Sequence, residues 1–100
     1  MKLFLALSLS LPVWSYSTNL NWDSVNPKGT TFAAYRMTGS CPPMAPTSTL
    51  GFTKLQGNIK GTYYKDITVK EKKSYCYIVI AVPKVGPPSV PSNPAQVKIP

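Results

Sequence analysis

Apolar and polar positions alternate in short runs along most of this chain. In "TNLNWD" (18–23) the alternation puts Leu20 and Trp22 on one face and the asparagines on the other. "TFAAYRMTG" (31–39) reads as a second strand, with Tyr35 and Met37 inward and Arg36 and Thr38 outward. "FTKLQ" (52–56) is a shorter strand closed by the turn "GNIKG", and "TYYKDITV" (62–69) is another, running into the charged corner "KEKKS". "KSYCYIVIAV" (73–82) has almost no polar face and places Cys76 between two tyrosines; "AQVKI" (95–99) closes the series. The connections "SVNPKGT", "SCPPMAPTSTLG" and "PKVGPPSVPSNP" are rich in the residues that set turns. Turn signals at short intervals, with no helical period, predict an all-β sandwich.

The first seventeen residues break this rhythm. Lys2 precedes "LFLALSLSLPVW", an apolar run interrupted only by serines and Pro12, and Ser15 and Ser17 stand where a signal peptidase needs small residues. The run is shorter than the roughly 20 residues of a membrane-spanning helix, so no transmembrane span is expected. The prediction is a signal peptide over 1–17, a single domain over 18–100, and a secreted or periplasmic location. The competing reading keeps the segment, with "LPVWSYS" (11–17) doubling back as a first strand.

Composition narrows the chemistry. The 100 residues include eleven prolines, no histidine and three acidic side chains, Asp23, Asp66 and Glu71, at a net charge of +8. Without histidine, and with so few carboxylates, general-base and metal chemistry have few candidates. No Gly-x-Ser-x-Gly elbow and no phosphate-cradling glycine loop occurs. No catalytic, cofactor-binding or metal-ligating residue is therefore assigned, and an enzyme is not expected. Asp23 and Asp66 read as strand-ending or turn-bonding residues.

Leu20-x-Trp22, Tyr35-Arg36-Met37, the block "GTYYKDITVKEKKSYCYIVIAV" and "PPSVPSN" follow one another in the order found in fibronectin type III domains, and the chain resembles the compact bacterial form of that family. The spacing of Val69 and Tyr75 matches the family's tyrosine corner, in which the phenol bonds back to the preceding strand junction. The resemblance implies a fibronectin type III or immunoglobulin-like β-sandwich with a core of Leu20, Trp22, Tyr35, Tyr75, Tyr77 and Val79. Cys76, Ile78, Ile80 and Val82 then face outward. In the resembled fold the strand ending near Cys41 lies beside the one carrying Cys76, which implies a Cys41–Cys76 disulfide; a redox pair or a metal site are the alternatives. The family's first strand is nearly absent after residue 17. This leaves an edge at 19–23 open to strand addition by a second copy or a partner.

For function, outward Ile78 and Ile80 between Arg36 and Lys98 form a candidate binding face. Lys70, Lys72 and Lys73 fall at one end of the sandwich and Lys28, Lys60 and Lys84 at the other. That division offers no single groove for a nucleic acid, and none is expected as a partner. The polyproline-like "CPPMAP" and "PPSVPSNP" read as stiffened loops. The resulting expectation is a secreted, non-enzymatic module that binds an extracellular protein or carbohydrate or acts as a spacer at the cell exterior. The alternative is a cationic protein that associates with acidic envelope glycans or lipid headgroups.

Overall fold

A computed structural model describes residues 3–10, 16–24 and 28–100. Its seven strands are β1 (Leu3–Ser10), β2 (Ser17–Ser24), β3 (Thr31–Thr38), β4 (Thr53–Ile59), β5 (Tyr63–Asp66), β6 (Ser74–Val82) and β7 (Ala95–Lys98). They form two antiparallel sheets, β1-β2-β5 and β4-β3-β6-β7. The architecture is an all-β sandwich.

The core lies between the sheets. β2 contributes Leu20 and Trp22, and β6 contributes Tyr75, Tyr77, Val79 and Ala81, as the period-2 patterns require. The Trp22 and Phe32 rings meet at 5.5 Å between centroids. On β3 the inward set differs from the expectation. Phe32 and Ala34 belong to the core, while Tyr35 is only half-buried and lies on the opposite face, so Tyr35 is not a core residue. Register decides this: Phe32, Ala34 and Arg36 stand opposite the inward Ala81, Val79 and Tyr77 of β6, whereas Tyr35 stands opposite Ile78. "FAAYRM" carries apolar side chains on both parities, and the bulkier set is the outward one.

Two strand ends also differ. β5 stops at Asp66, far short of residue 69, because the Asp66 carboxylate accepts hydrogen bonds from both the backbone N–H and the hydroxyl of Thr68 and turns the chain. β4 runs on to Ile59, with Asn58 taking a positive φ of 54°, where a turn was expected.

The segment expected as a leader forms β1. It pairs with β2 along its whole length, from Leu3 opposite Ser24 to Ser10 opposite Ser17, and Leu5 is buried in the core. Asn93 holds the outer edge of β1: its side-chain carbonyl accepts from the Leu5 N–H at 3.2 Å, and its amide donates to the Leu5 carbonyl at 3.5 Å. With β1 present, β2 has a neighbour on each side, so residues 19–23 are not an open edge in this chain. Part of the leader (1–2 and 11–15), and with it most of "LPVWSYS", lies outside the described residues.

The proline-rich connection from β6 to β7 borders β6 where β7 stops. Pro87, Pro88, Pro91 and Pro94 lack N–H groups, and two serines supply what a strand would. Ser92 donates its N–H to the Val79 carbonyl and accepts the Val79 N–H at its hydroxyl; Ser89 does the same with Ala81. Each hydroxyl replaces a strand carbonyl, so a segment too rich in proline to be a strand still satisfies the edge of β6.

Candidate functional site

Four residues were expected to form one binding face, and the fold takes Arg36 out of it. Arg36 points between the sheets: its guanidinium bonds Asp66 at 2.9 Å and Thr68 at 2.7 Å and lies 4.7 Å from the centre of the Tyr75 ring. Ile78 faces outward yet is fully buried, Ile80 is half-buried, and Lys98 is exposed on β7. Cys41 and Cys76 are joined by a disulfide across 35 residues of chain, and the Cys41 N–H donates to the Gln96 side chain on β7. The β3–β4 loop is thereby fastened at its start to Cys76 of β6 and Gln96 of β7. With Ile78 fully buried and Ile80 half-buried, the apolar stripe is not an open surface.

The inner end of the same strands holds a compact polar cluster. Asp66, 1% exposed, accepts hydrogen bonds from Tyr77 at 2.7 Å, the Thr68 hydroxyl at 2.6 Å, the Thr68 N–H at 2.9 Å and Arg36. Burial pushes the Asp66 carboxyl up, but the hydrogen bonds from Thr68, Tyr77 and Arg36 outweigh it and hold the group below its ordinary range. Burial and the bond to Asp66 push the Tyr77 phenol far above its ordinary value. Beside this cluster the Lys70 N–H donates to the Tyr75 hydroxyl at 2.9 Å, which is the tyrosine-corner bond. The carboxylate, phenols and guanidinium tie β3, β5 and β6 together. Among the described residues no group of three or more His, Cys, Asp or Glu side chains is placed to hold a metal ion.

The two lysine groups fall at opposite poles, because β6 begins after Lys73 and ends before Lys84. The poles are built differently. At the first, Lys72 takes a left-handed φ of 62° and its N–H bonds the carbonyls of Ile99 and Pro100, so its backbone is bound into the corner. At the other pole the β2–β3, β4–β5 and β6–β7 connections surround an open cleft of about 510 Å³, lined by Gly29, Thr30, Thr31, Lys60, Val82, Pro83 and Lys84. That volume lies within the roughly 300–1,000 Å³ of ligand clefts.

Gly29 seats one of its cations. Its φ of +88° favours glycine, and a Cβ there would lie 3.1 Å from Cδ of Lys84, so the missing side chain is what lets the Lys84 stem lie across the turn. Lys60 reaches the cleft from the β4–β5 turn, and Lys28 directly precedes Gly29. Pattern reading placed the three lysines at one end. It did not find the cleft, because the Gly29–Lys84 contact joins positions 55 residues apart and no local period encodes it.

No protein-family model matches the chain, and no curated protein matches it. Solved structures do. An Fn3-like protein from Clostridium thermocellum is 28% identical, with 97% of this chain and 92% of that one covered at a TM-score of 0.69. The pectate lyase PelI from Erwinia chrysanthemi, in complex with tetragalacturonic acid, is 20% identical at a TM-score of 0.76; the match covers 97% of this chain and only 28% of the enzyme. The twitchin kinase region from C. elegans is 20% identical over 84% of this chain and 14% of its own, at a TM-score of 0.62. The last two likenesses are of fold. Taken with the sheet order and the tyrosine-corner bond, these likenesses identify the chain as a fibronectin type III-like domain.

Proposed function

We propose that the chain is a non-catalytic module of the cell exterior that binds carbohydrate. The observation that supports this most is the burial of Ile78 on the outer face of β6. Specific protein interfaces are usually built on a desolvated apolar centre, and the stripe that was the best candidate for one is not open. The open surface at the cleft pole instead sets Lys60 and Lys84 beside a small apolar wall of Val82 and Pro83. The pectate lyase likeness adds to this reading, since the matched part is a small share of an enzyme solved with an oligosaccharide.

The disulfide fits an oxidising compartment, and among the described residues no helix is long and apolar enough to cross a membrane. Export proceeds through residues 1–17. A chain cut after Ser17 loses β1, and the β2 edge at 19–23 then accepts a strand from a second copy or a partner.

The test is a panel of neutral and acidic oligosaccharides titrated into the exported protein by calorimetry, with the N-terminus sequenced on the same sample. Saturable binding to at least one glycan is expected. Binding to none, with a protein recovered in stoichiometric complex, contradicts the carbohydrate reading. An N-terminus at Met1, with a monomer at all concentrations, contradicts cleavage and strand addition.

A further inference from the structure

We infer that the cleft between the β2–β3, β4–β5 and β6–β7 connections is the binding site and that its ligand is a carboxylate-bearing glycan, an inference that rests on the carbohydrate reading above. Three features of the cleft lead there.

The first is charge. Lys60 and Lys84 enter from separate connections and neither makes a salt bridge among the described residues, where the one ion pair is Arg36–Asp66. Two unneutralised ammonium groups on one concave surface favour an anionic ligand, and the low-dielectric walls of a cleft strengthen that attraction relative to an open surface.

The second is the wall between the cations. Val82 and Pro83 line it, so a ligand must offer a compact apolar surface together with its charge. A pyranose ring does so through its C–H face, and a uronic acid carries its carboxylate on the rim of that ring. A bare phosphate has no surface to set against Val82 and Pro83. An extended nucleic-acid backbone needs a continuous cationic track, and the remaining lysine cluster, Lys70 to Lys73, lies at the far end of β6.

The third is preorganisation. Gly29, at φ +88°, leaves the room in which the Lys84 stem lies, so the position of this cation is set by the backbone of another loop. A cation whose stem is already ordered loses less side-chain entropy on binding than a free surface lysine.

The experiment compares charge-matched variants of the full chain with tetragalacturonate as the probe, followed by calorimetry at low and at physiological salt. Lys60→Gln with Lys84→Gln removes two cleft charges, and Lys70→Gln with Lys72→Gln removes two from the opposite pole. All four positions are exposed, so the fold tolerates both pairs. The cleft pair is expected to weaken binding by about tenfold or more and to flatten its salt dependence, while the corner pair changes affinity by less than about threefold. Gly29→Ala, which displaces the Lys84 stem, is expected to weaken binding with no change in net charge.

Equal losses for both pairs would mean that total charge alone attracts the ligand, and the site assignment fails. Salt-independent binding of a neutral oligosaccharide, unchanged in the cleft pair, overturns the acidic ligand while leaving the carbohydrate reading intact. Binding to phosphatidylglycerol vesicles with none to tetragalacturonate overturns the inference in favour of a lipid surface. Absence of binding to every glycan removes both the inference and the reading beneath it.

Discussion

The two poles of the sandwich carry three exposed lysines each, yet one is bound into a corner and the other opens into a cleft. The corner pole is closed by directed bonds: the Tyr75 hydroxyl on the Lys70 N–H, the Lys72 N–H on the C-terminal carbonyls, and the Asp66 carboxylate on four donors. At the cleft pole the Trp22 ring packs on Phe32 within the core, and Gly29, Lys60 and Lys84 outside it border the open cleft. Glu71 stands among the three lysines of the corner, yet both ends remain cationic, so charge alone does not locate a site. What differs is whether the backbone between the lysines is used up in holding the fold.

Substitutions at the two poles should therefore differ in kind as well as size. The largest effect belongs to the packed pole: Trp22→Ala leaves a cavity and is expected to cost about 3–5 kcal/mol in urea unfolding. Next is the staple over β6. Removing the Cys41–Cys76 bridge, by Cys41→Ser with Cys76→Ser, is expected to cost roughly 3–4 kcal/mol for a loop of this length. It should also raise hydrogen exchange over 40–52 more than in β2. Equal exchange in both regions would show that the disulfide does not hold that loop.

The corner pole should respond to acid. The folded Asp66 carboxyl lies below its unfolded value of 3.8, so the stabilisation is complete above that pH and is lost as pH falls through the lower, folded value. Melting temperature is expected to hold steady from neutrality to about pH 4 and to drop below it. Asp66→Asn should flatten that acid limb and lower stability at neutrality, since it leaves the partly buried Arg36 without its counter-ion. An unchanged acid limb in Asp66→Asn would remove the cluster from the account of this pole.

The smallest structural effect is Tyr75→Phe. Here the orphaned group is a backbone donor, the Lys70 N–H, at the edge of the fold, and a loss of about 1–3 kcal/mol is expected. A negligible loss would mean that water replaces the phenol there.

The same contrast explains what could be read in the sequence. β2 was legible because Leu20 and Trp22 share one parity; β6 is buried on both, Cys76 and Ile78 as fully as Tyr77 and Val79, and the spacing of Val69 and Tyr75 is what picked out its inward set. β3 was not legible, because Phe32 and Ala34 compete with Tyr35 and Met37, and only the pairing with β6 chooses between them. The inward turn of Arg36 follows from that choice and needs Asp66, 30 residues away, to be intelligible.

The N-terminal segment is ambiguous for a physical reason. "LFLALSLS" meets the demands of a secretory core and of a strand with one buried face, and period alone does not separate the two. Ile78 and Ile80 fall on the outer-face parity of β6, but the full burial of Ile78 is a tertiary fact that no strand signal encodes. The lysine cleft was half legible: Lys60 and Lys84, which line it, were placed with Lys28 at one pole, while the seat that Gly29 makes for Lys84 is a tertiary fact.

The central claim is that one pole binds an acidic glycan and the other does not. Amide chemical-shift mapping of the full chain titrated with tetragalacturonate tests it most directly. The expected result is a saturable set of shifts at Gly29, Thr30, Thr31, Lys60 and Lys84, with Lys70, Lys72 and Lys73 unmoved. Shifts of equal size at both poles, or shifts centred on residues 70–73, would contradict it.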